Sequence, residues 1–166
     1  MSKHKPNNPI EEFLNYLDER FGIKKEIFFD YGFDTDGERI SIFSGSINNK
    51  NLDEMIIKSI GLRAGKYFKD IRNGRVKLKI STNFAQIFGR YATKNAVYIN
   101  DNEVKEYIRG SDLENIRPLN VEEGEVIIKW NENVIGVGNY SQGGIKNQIP
   151  KKKRLTKISD ENFYDE

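Results

Sequence analysis

The chemistry open to this 166-residue chain is limited first by the residue types it lacks. It has no cysteine, which removes disulfides, thiolate metal sites and cysteine nucleophiles. Its single histidine, His4, falls in a polar lead, so a catalytic histidine or a histidine-based metal cluster is not expected. Carboxylates are plentiful but scattered over charged stretches. No pair lies in an apolar setting that would split acid from base roles. The reading is of a chain that is not an enzyme and needs no metal or other cofactor. Gly136-Val137-Gly138 has Ser141 where the third glycine of a dinucleotide loop would stand, so its glycines point to close backbone approach or a bulge. Asp34-Thr35-Asp36-Gly37 begins like a calcium loop without the later ligands and reads as a turn. Phe84-Ala85-Gln86-Ile87-Phe88 and Trp130 read as packing residues.

What remains is cationic chemistry. The formal net charge is only +2, but it is laid out in blocks. Residues 10–56 carry −6, residues 57–95 carry +9, residues 96–145 carry −5, residues 146–157 carry +6 and the last nine carry −4. In the first basic block Asp70 is the single acid. Two such blocks between acidic ones predict an electropositive face that attracts phosphates and releases their counterions. The stretch from Gly143 to Arg154 adds paired glycines and the neutral hydrogen-bonding groups of Asn147 and Gln148 to the tetrad Lys151-Lys152-Lys153-Arg154. That mixture suits an RNA site, where charge positions the strand and polar groups read exposed edges.

These residues need elements to hold them. Pro9 to Phe21 has helical spacing of Ile10, Phe13, Leu14, Leu17 and Phe21, with Asn8 as cap and Gly22 as stop. Ile27-Phe28-Phe29 and Ile40-Ser41-Ile42-Phe43 read as strands, while Leu52 to Leu62 fits helix or strand. Val76, Leu78 and Ile80 alternate with Lys77 and Lys79, predicting a half-buried strand with a basic outer face after an Asn73-Gly74 turn. Ser81-Thr82 should cap a short helix turning Phe84, Ile87 and Phe88 inward. After residue 92 come a strand at Ala96–Ile99, a capping box at Asn100–Glu103 with a helix stopped at Gly110, and a hairpin of Glu125–Trp130 with Val134–Gly138. The fold class expected is α+β. Residues 1–92 would form a small N-terminal α/β domain, residues 93–158 an RNA-binding domain and residues 159–166 a flexible acidic tail. No apolar run reaches the roughly 18 residues of a membrane span and no secretory signal is seen, so no membrane partner is expected and the location read from the sequence is cytoplasmic.

Several motifs in order carry a family likeness. Ser59-Ile60-Gly61-Leu62-Arg63-Ala64-Gly65-Lys66, Lys79-Ile80-Ser81-Thr82 and Ile87-Phe88-Gly89-Arg90-Tyr91-Ala92-Thr93-Lys94-Asn95 resemble the Nip-type ribosome-biogenesis factors. Tyr107-Ile108-Arg109-Gly110, Ile135-Gly136-Val137-Gly138 and Ile145-Lys146-Asn147 followed by Pro150 are similar to the PUA-like appendage of Sun/Fmu-type RNA cytosine-C5 methyltransferases. The likeness implies a C-terminal PUA β pseudo-barrel that meets RNA through its first helix and last strand. Matched position by position, that points to Arg109 and to Lys151, Lys152, Lys153 and Arg154. Lys146 beside them, with Arg90 and Lys94 at the junction of the two units, extends the expected patch. Methyltransferase activity does not carry over, because the cofactor-binding domain and the cysteines it requires do not match this chain. The function expected is RNA binding in ribosome biogenesis, rRNA processing or tRNA modification. Its partners would be structured RNA (rRNA, pre-rRNA or tRNA) and a ribosome-assembly or RNA-methyltransferase protein. The alternative is a protein-interaction adaptor whose acidic N-terminal unit docks a partner.

Overall fold

A computed structural model describes residues 8–44, 61–116 and 118–155. The expectations for His4, for most of Leu52–Leu62 and for the acidic tail lie outside these residues.

Helix α1 spans Pro9–Phe21. The Asn8 side chain accepts from the Ile10 amide at 3.0 Å, and Gly22, at φ 68°, closes the C-terminus in the left-handed conformation that favours glycine. Its buried stripe of Phe13, Leu17 and Phe21 rests on an antiparallel meander of β1 (Tyr31–Asp36), β2 (Arg39–Ser44), β3 (Leu62–Lys69) and β4 (Val76–Ile80). Gly65 on β3 is where the helix seats. A Cβ there would lie 2.8 Å from the Phe13 ring and 2.2 Å from the Lys79 carbonyl. Two expectations fail locally. Lys25–Phe28 is a 3-10 turn, which carries Phe28 into the aromatic core and leaves Phe29 exposed, so the first strand starts later at Tyr31. Asp34 to Asp36 belong to that strand, and the turn falls at Gly37-Glu38.

Helix α2 (Thr82–Phe88) is capped by Ser81, whose hydroxyl accepts from the Phe84 amide at 3.0 Å. Phe84 and Phe88 are buried as expected. Ala85 completes their stripe, and Ile87 faces outward. The second sheet follows in the order β5 (Ala96–Tyr98), β6 (Gly124–Trp130), β7 (Asn133–Ser141) and β8 (Gly144–Asn147). Strand β5 runs parallel to β6, and helix α3 (Asp101–Arg109) makes the crossover. The capping box is complete, with Asn100 and Glu103 each accepting from the other's amide.

The α+β class stands. Among the described residues the first sheet is antiparallel throughout. The second sheet stays open. Its ladders run from β5 to β8, and among the described residues none closes β8 back onto β5 as a barrel requires.

The run Val126-Ile127-Ile128 is buried without a break because β6 is covered on both faces. Val126 and Ile128 join Val97, Val104, Tyr107, Ile145 and Ile149 on the α3 side. Ile127, with Val137, joins the core of α1, α2 and the first sheet. The two sheets therefore share apolar contact, and each aliphatic side chain so buried contributes roughly 1.5–3 kcal/mol.

Candidate nucleic-acid interface

The charge blocks of the sequence meet in one place. A cleft of about 360 Å³ opens where β3, β4 and the start of α2 face the segment after β8. The first basic block contributes Arg63, Lys66 and Lys79 to its wall, and the second contributes Lys152 and Lys153. All five are exposed, and among the described residues none is within ion-pair distance of a carboxylate. Asp70, the only acid of the first block, is taken by Lys77 at 2.8 Å, and that hydrogen bond chiefly holds its carboxyl below the usual range.

One carboxylate lines the same cleft. Glu125 starts the apolar run of β6, and its Oε1 accepts from the Tyr16 hydroxyl at 2.9 Å and the Ile80 amide at 3.1 Å. Its Oε2 takes only a long share of the Ile80 amide at 3.3 Å. Burial pushes the Glu125 carboxyl up to about 7, against the pull of those bonds and of Lys79 and Arg20. The reading that all carboxylates sit in exposed, charged surroundings is corrected at this residue. Burial, then the neighbouring Glu125 charge, likewise raises Tyr16. Main-chain bonds brace the site from α1. Arg20 donates to the carbonyls of Glu125 and Glu122, each at 2.8 Å, and Asn95 donates to the Arg20 carbonyl at 2.6 Å.

Of the residues expected to bind RNA, Lys152 and Lys153 are the two that line the cleft, and Lys153 also donates to Asn83 on its wall. Lys151 is exposed in the same 3-10 turn, Lys151–Lys153, which lies beyond β8 and so replaces the last strand expected for the tetrad. Arg154 is a fastener. It lies half-buried against Gly110, its Nε donates to the Ile149 carbonyl at 3.0 Å, and the next amide, Leu155, bonds the Ile108 carbonyl of α3. Arg109 ends α3, 3.8 Å from Glu106. Lys146 projects from the edge strand β8. Arg90 stacks on Tyr91 at 4.8 Å and donates to its hydroxyl, and Lys94 reaches the Glu19 carbonyl at 3.5 Å. None of these six lines the cleft.

Asn147, read as a polar group for RNA, is turned inward. Its amide donates to the Tyr107 and Ser111 carbonyls at 2.6 and 2.9 Å, and its oxygen accepts from the Ile149 amide. Gln148 does line the cleft. The Gly136 and Gly138 reading holds. A Cβ at Gly138 would stand 2.4 Å from Ile145, and the β6–β7 register shifts beside Gly136. The residues missed as site members are Arg63, Lys66, Lys79, Asn83 and Glu125. The outward lysines of the β4 alternation were a signal for Lys79. Nothing local marked Glu125.

Comparison with known proteins agrees with the second half of the chain. Residues 94–155 match the family described as the methyltransferase RsmF PUA domain. They include β5, α3, β6, β7 and β8, so the second sheet is a PUA sheet. A PUA domain implies RNA binding, as in RNA-modifying enzymes. The match covers the PUA appendage and no catalytic part of such an enzyme. No curated protein matches the chain. No described helix is long and apolar enough to cross a membrane.

Proposed function

We infer, taking the RsmF-type PUA domain at residues 94–155 as the premise, that the chain is a non-catalytic RNA-binding protein of rRNA or tRNA maturation. It would work as a ribosome-assembly factor or beside an RNA-modifying enzyme. The observation that carries this reading is the meeting of two basic blocks, far apart in sequence, in one cleft beside the PUA sheet. Five exposed cations on a concave wall hold phosphates better than the same charges spread over a flat face, because low-dielectric walls focus their field. The absence of cysteine, and Glu125 as the single carboxylate among the described residues that line the cleft, favour recognition over covalent or acid–base chemistry. On this reading residues 93–158 make the RNA-binding domain. Residues 1–92 complete its cleft through Arg63, Lys66 and Lys79 rather than serving as a separate docking module.

The experiment is a salt titration of binding to a labelled single-stranded RNA, followed by anisotropy. With four or five phosphates neutralised, log K should fall against log salt with a slope of about −3. The charge-removed variant with Lys66, Lys79, Lys152 and Lys153 changed to Ala should lose most of that slope and most of the affinity. Affinity that ignores salt, or a variant that binds like the parent, overturns the reading.

A further inference from the structure

The cleft combines two features that a phosphate-binding surface alone does not need. Its five cations are exposed, whereas the Glu125 carboxylate that shares it is the less exposed group, bonded to the Ile80 main chain. A phosphate is repelled from that carboxylate and is held among the cations. When Glu125 is ionised it only accepts, so a group lying against it must then present an N–H or O–H donor. The Oε1 atom already accepts from Tyr16 and Ile80, whereas Oε2 accepts only the longer bond from the Ile80 amide at 3.3 Å and so keeps more acceptor capacity for a ligand. Asn83 and Gln148 add amide groups to the same wall. A volume of about 360 Å³ falls in the range of pockets that enclose small organic ligands, about 300–1,000 Å³.

Resting on the RNA-binding reading, we propose that this cleft takes one unstacked nucleotide from a single strand and selects a base bearing an exocyclic amino group, whose N–H donates to Glu125 Oε2. Lys66, Lys79, Lys152 and Lys153 hold the flanking phosphates. Cytosine, adenine and guanine can present an amino donor to the carboxylate. Uracil cannot do so cleanly, because its one Watson–Crick N–H lies between two carbonyl oxygens that face the same negative charge. The cleft therefore disfavours uridine. This is opposite to the preference of a purely electrostatic groove, which takes the most weakly stacked and most flexible strand.

Glu125 faces Tyr16 and Arg20 from α1 and the Ile80 amide and Lys79 from β4. Arg63, Lys66, Lys152 and Lys153 complete the cleft around it. Its protonation removes the acceptor-only character of Oε2, so the preference against uridine weakens as pH falls below about 7.

The test measures the affinity of the full chain for oligo-C and oligo-U of equal length at pH 8 and at pH 5.5, with and without the substitution Glu125→Gln. Glutamine keeps an acceptor for Tyr16 and Ile80 and puts an amide donor where Oε2 stands. We expect oligo-C to bind about tenfold more tightly than oligo-U at pH 8. The ratio should shrink at pH 5.5 and fall to one or below in E125Q, with the salt slope unchanged. Equal, salt-dependent binding of both oligomers at pH 8 overturns the base selection and leaves the RNA-binding reading intact. Binding of neither overturns both. Should E125Q fail to fold by thermal melt, the change of ratio with pH in the parent chain decides.

Discussion

Glu125 gives the sharpest quantitative expectation. Its carboxyl is raised by burial from an ordinary 4.5 to about 7 in the fold. In the pH range between those values the folded state binds more protons than the unfolded one, so stability falls as pH rises. The contribution is fully present below about 4.5 and lost once pH has passed about 7. At about 1.4 kcal/mol per pH unit, that shift corresponds to roughly 3 kcal/mol. E125Q removes the ionisation. The bonds that Tyr16 and Ile80 make to the charged form are already contained in that shift. At pH 8 the variant should therefore be more stable than the parent by roughly 3 kcal/mol. At pH 5 the difference should shrink to about 1 kcal/mol or less. Urea unfolding at pH 5, 6.5 and 8 reads this directly, in a His4→Gln background so that no other side chain with an ordinary value in this window contributes. A variant less stable than its parent at pH 8, or one that keeps the parent's pH slope, would refute the reasoning about Glu125's surroundings.

Other expectations follow from particular contacts. Arg154→Ala should cost about 1–2 kcal/mol of stability, because it strips the cover of Gly110 and the bond to the Ile149 carbonyl, while Lys152→Ala should leave the melting temperature unchanged and weaken RNA binding. Asn147→Ala leaves the Tyr107 and Ser111 carbonyls and the Ile149 amide without that partner, and should lower stability by about 2–4 kcal/mol in a denaturant titration. Ile127→Ala opens a cavity in the core that both sheets share. It should cost about 2–5 kcal/mol and lower one cooperative transition, where separately folded halves would show two.

Where local signals were complete, the sequence was a good guide. Asn8, Pro9 and Gly22 framed α1 to the residue, and the capping box at Asn100–Glu103 formed with both of its bonds. The alternation of Val76, Leu78 and Ile80 with lysines foretold both β4 and its outward charge. The failures arose where tertiary contacts decide. Phe28 is drawn into a 3-10 turn by the aromatic cluster of Phe84 and Phe88, which no three-residue window could reveal. Charge blocks announced a cationic face but could not say which members would meet. Arg90 and Lys94 belong to the first block yet bond elsewhere, and Lys79 joins Lys152 only through the packing of the first sheet beside the PUA sheet. Arg154 and Asn147 looked like ligand groups by type and are internal fasteners by position. Glu125 was hidden for the same reason, since its burial depends on Tyr16 and Ile80 from distant segments.

Ultraviolet crosslinking of bound RNA followed by peptide mass spectrometry is the direct test that RNA occupies the cleft between the first sheet and the PUA sheet. If RNA lies there, adducts fall on the peptides carrying Arg63 to Lys66, Lys79 to Asn83 and Gln148 to Lys153. Adducts confined to Arg90 and Lys94, or to Arg109 and Lys146, with the cleft peptides clean, would contradict it.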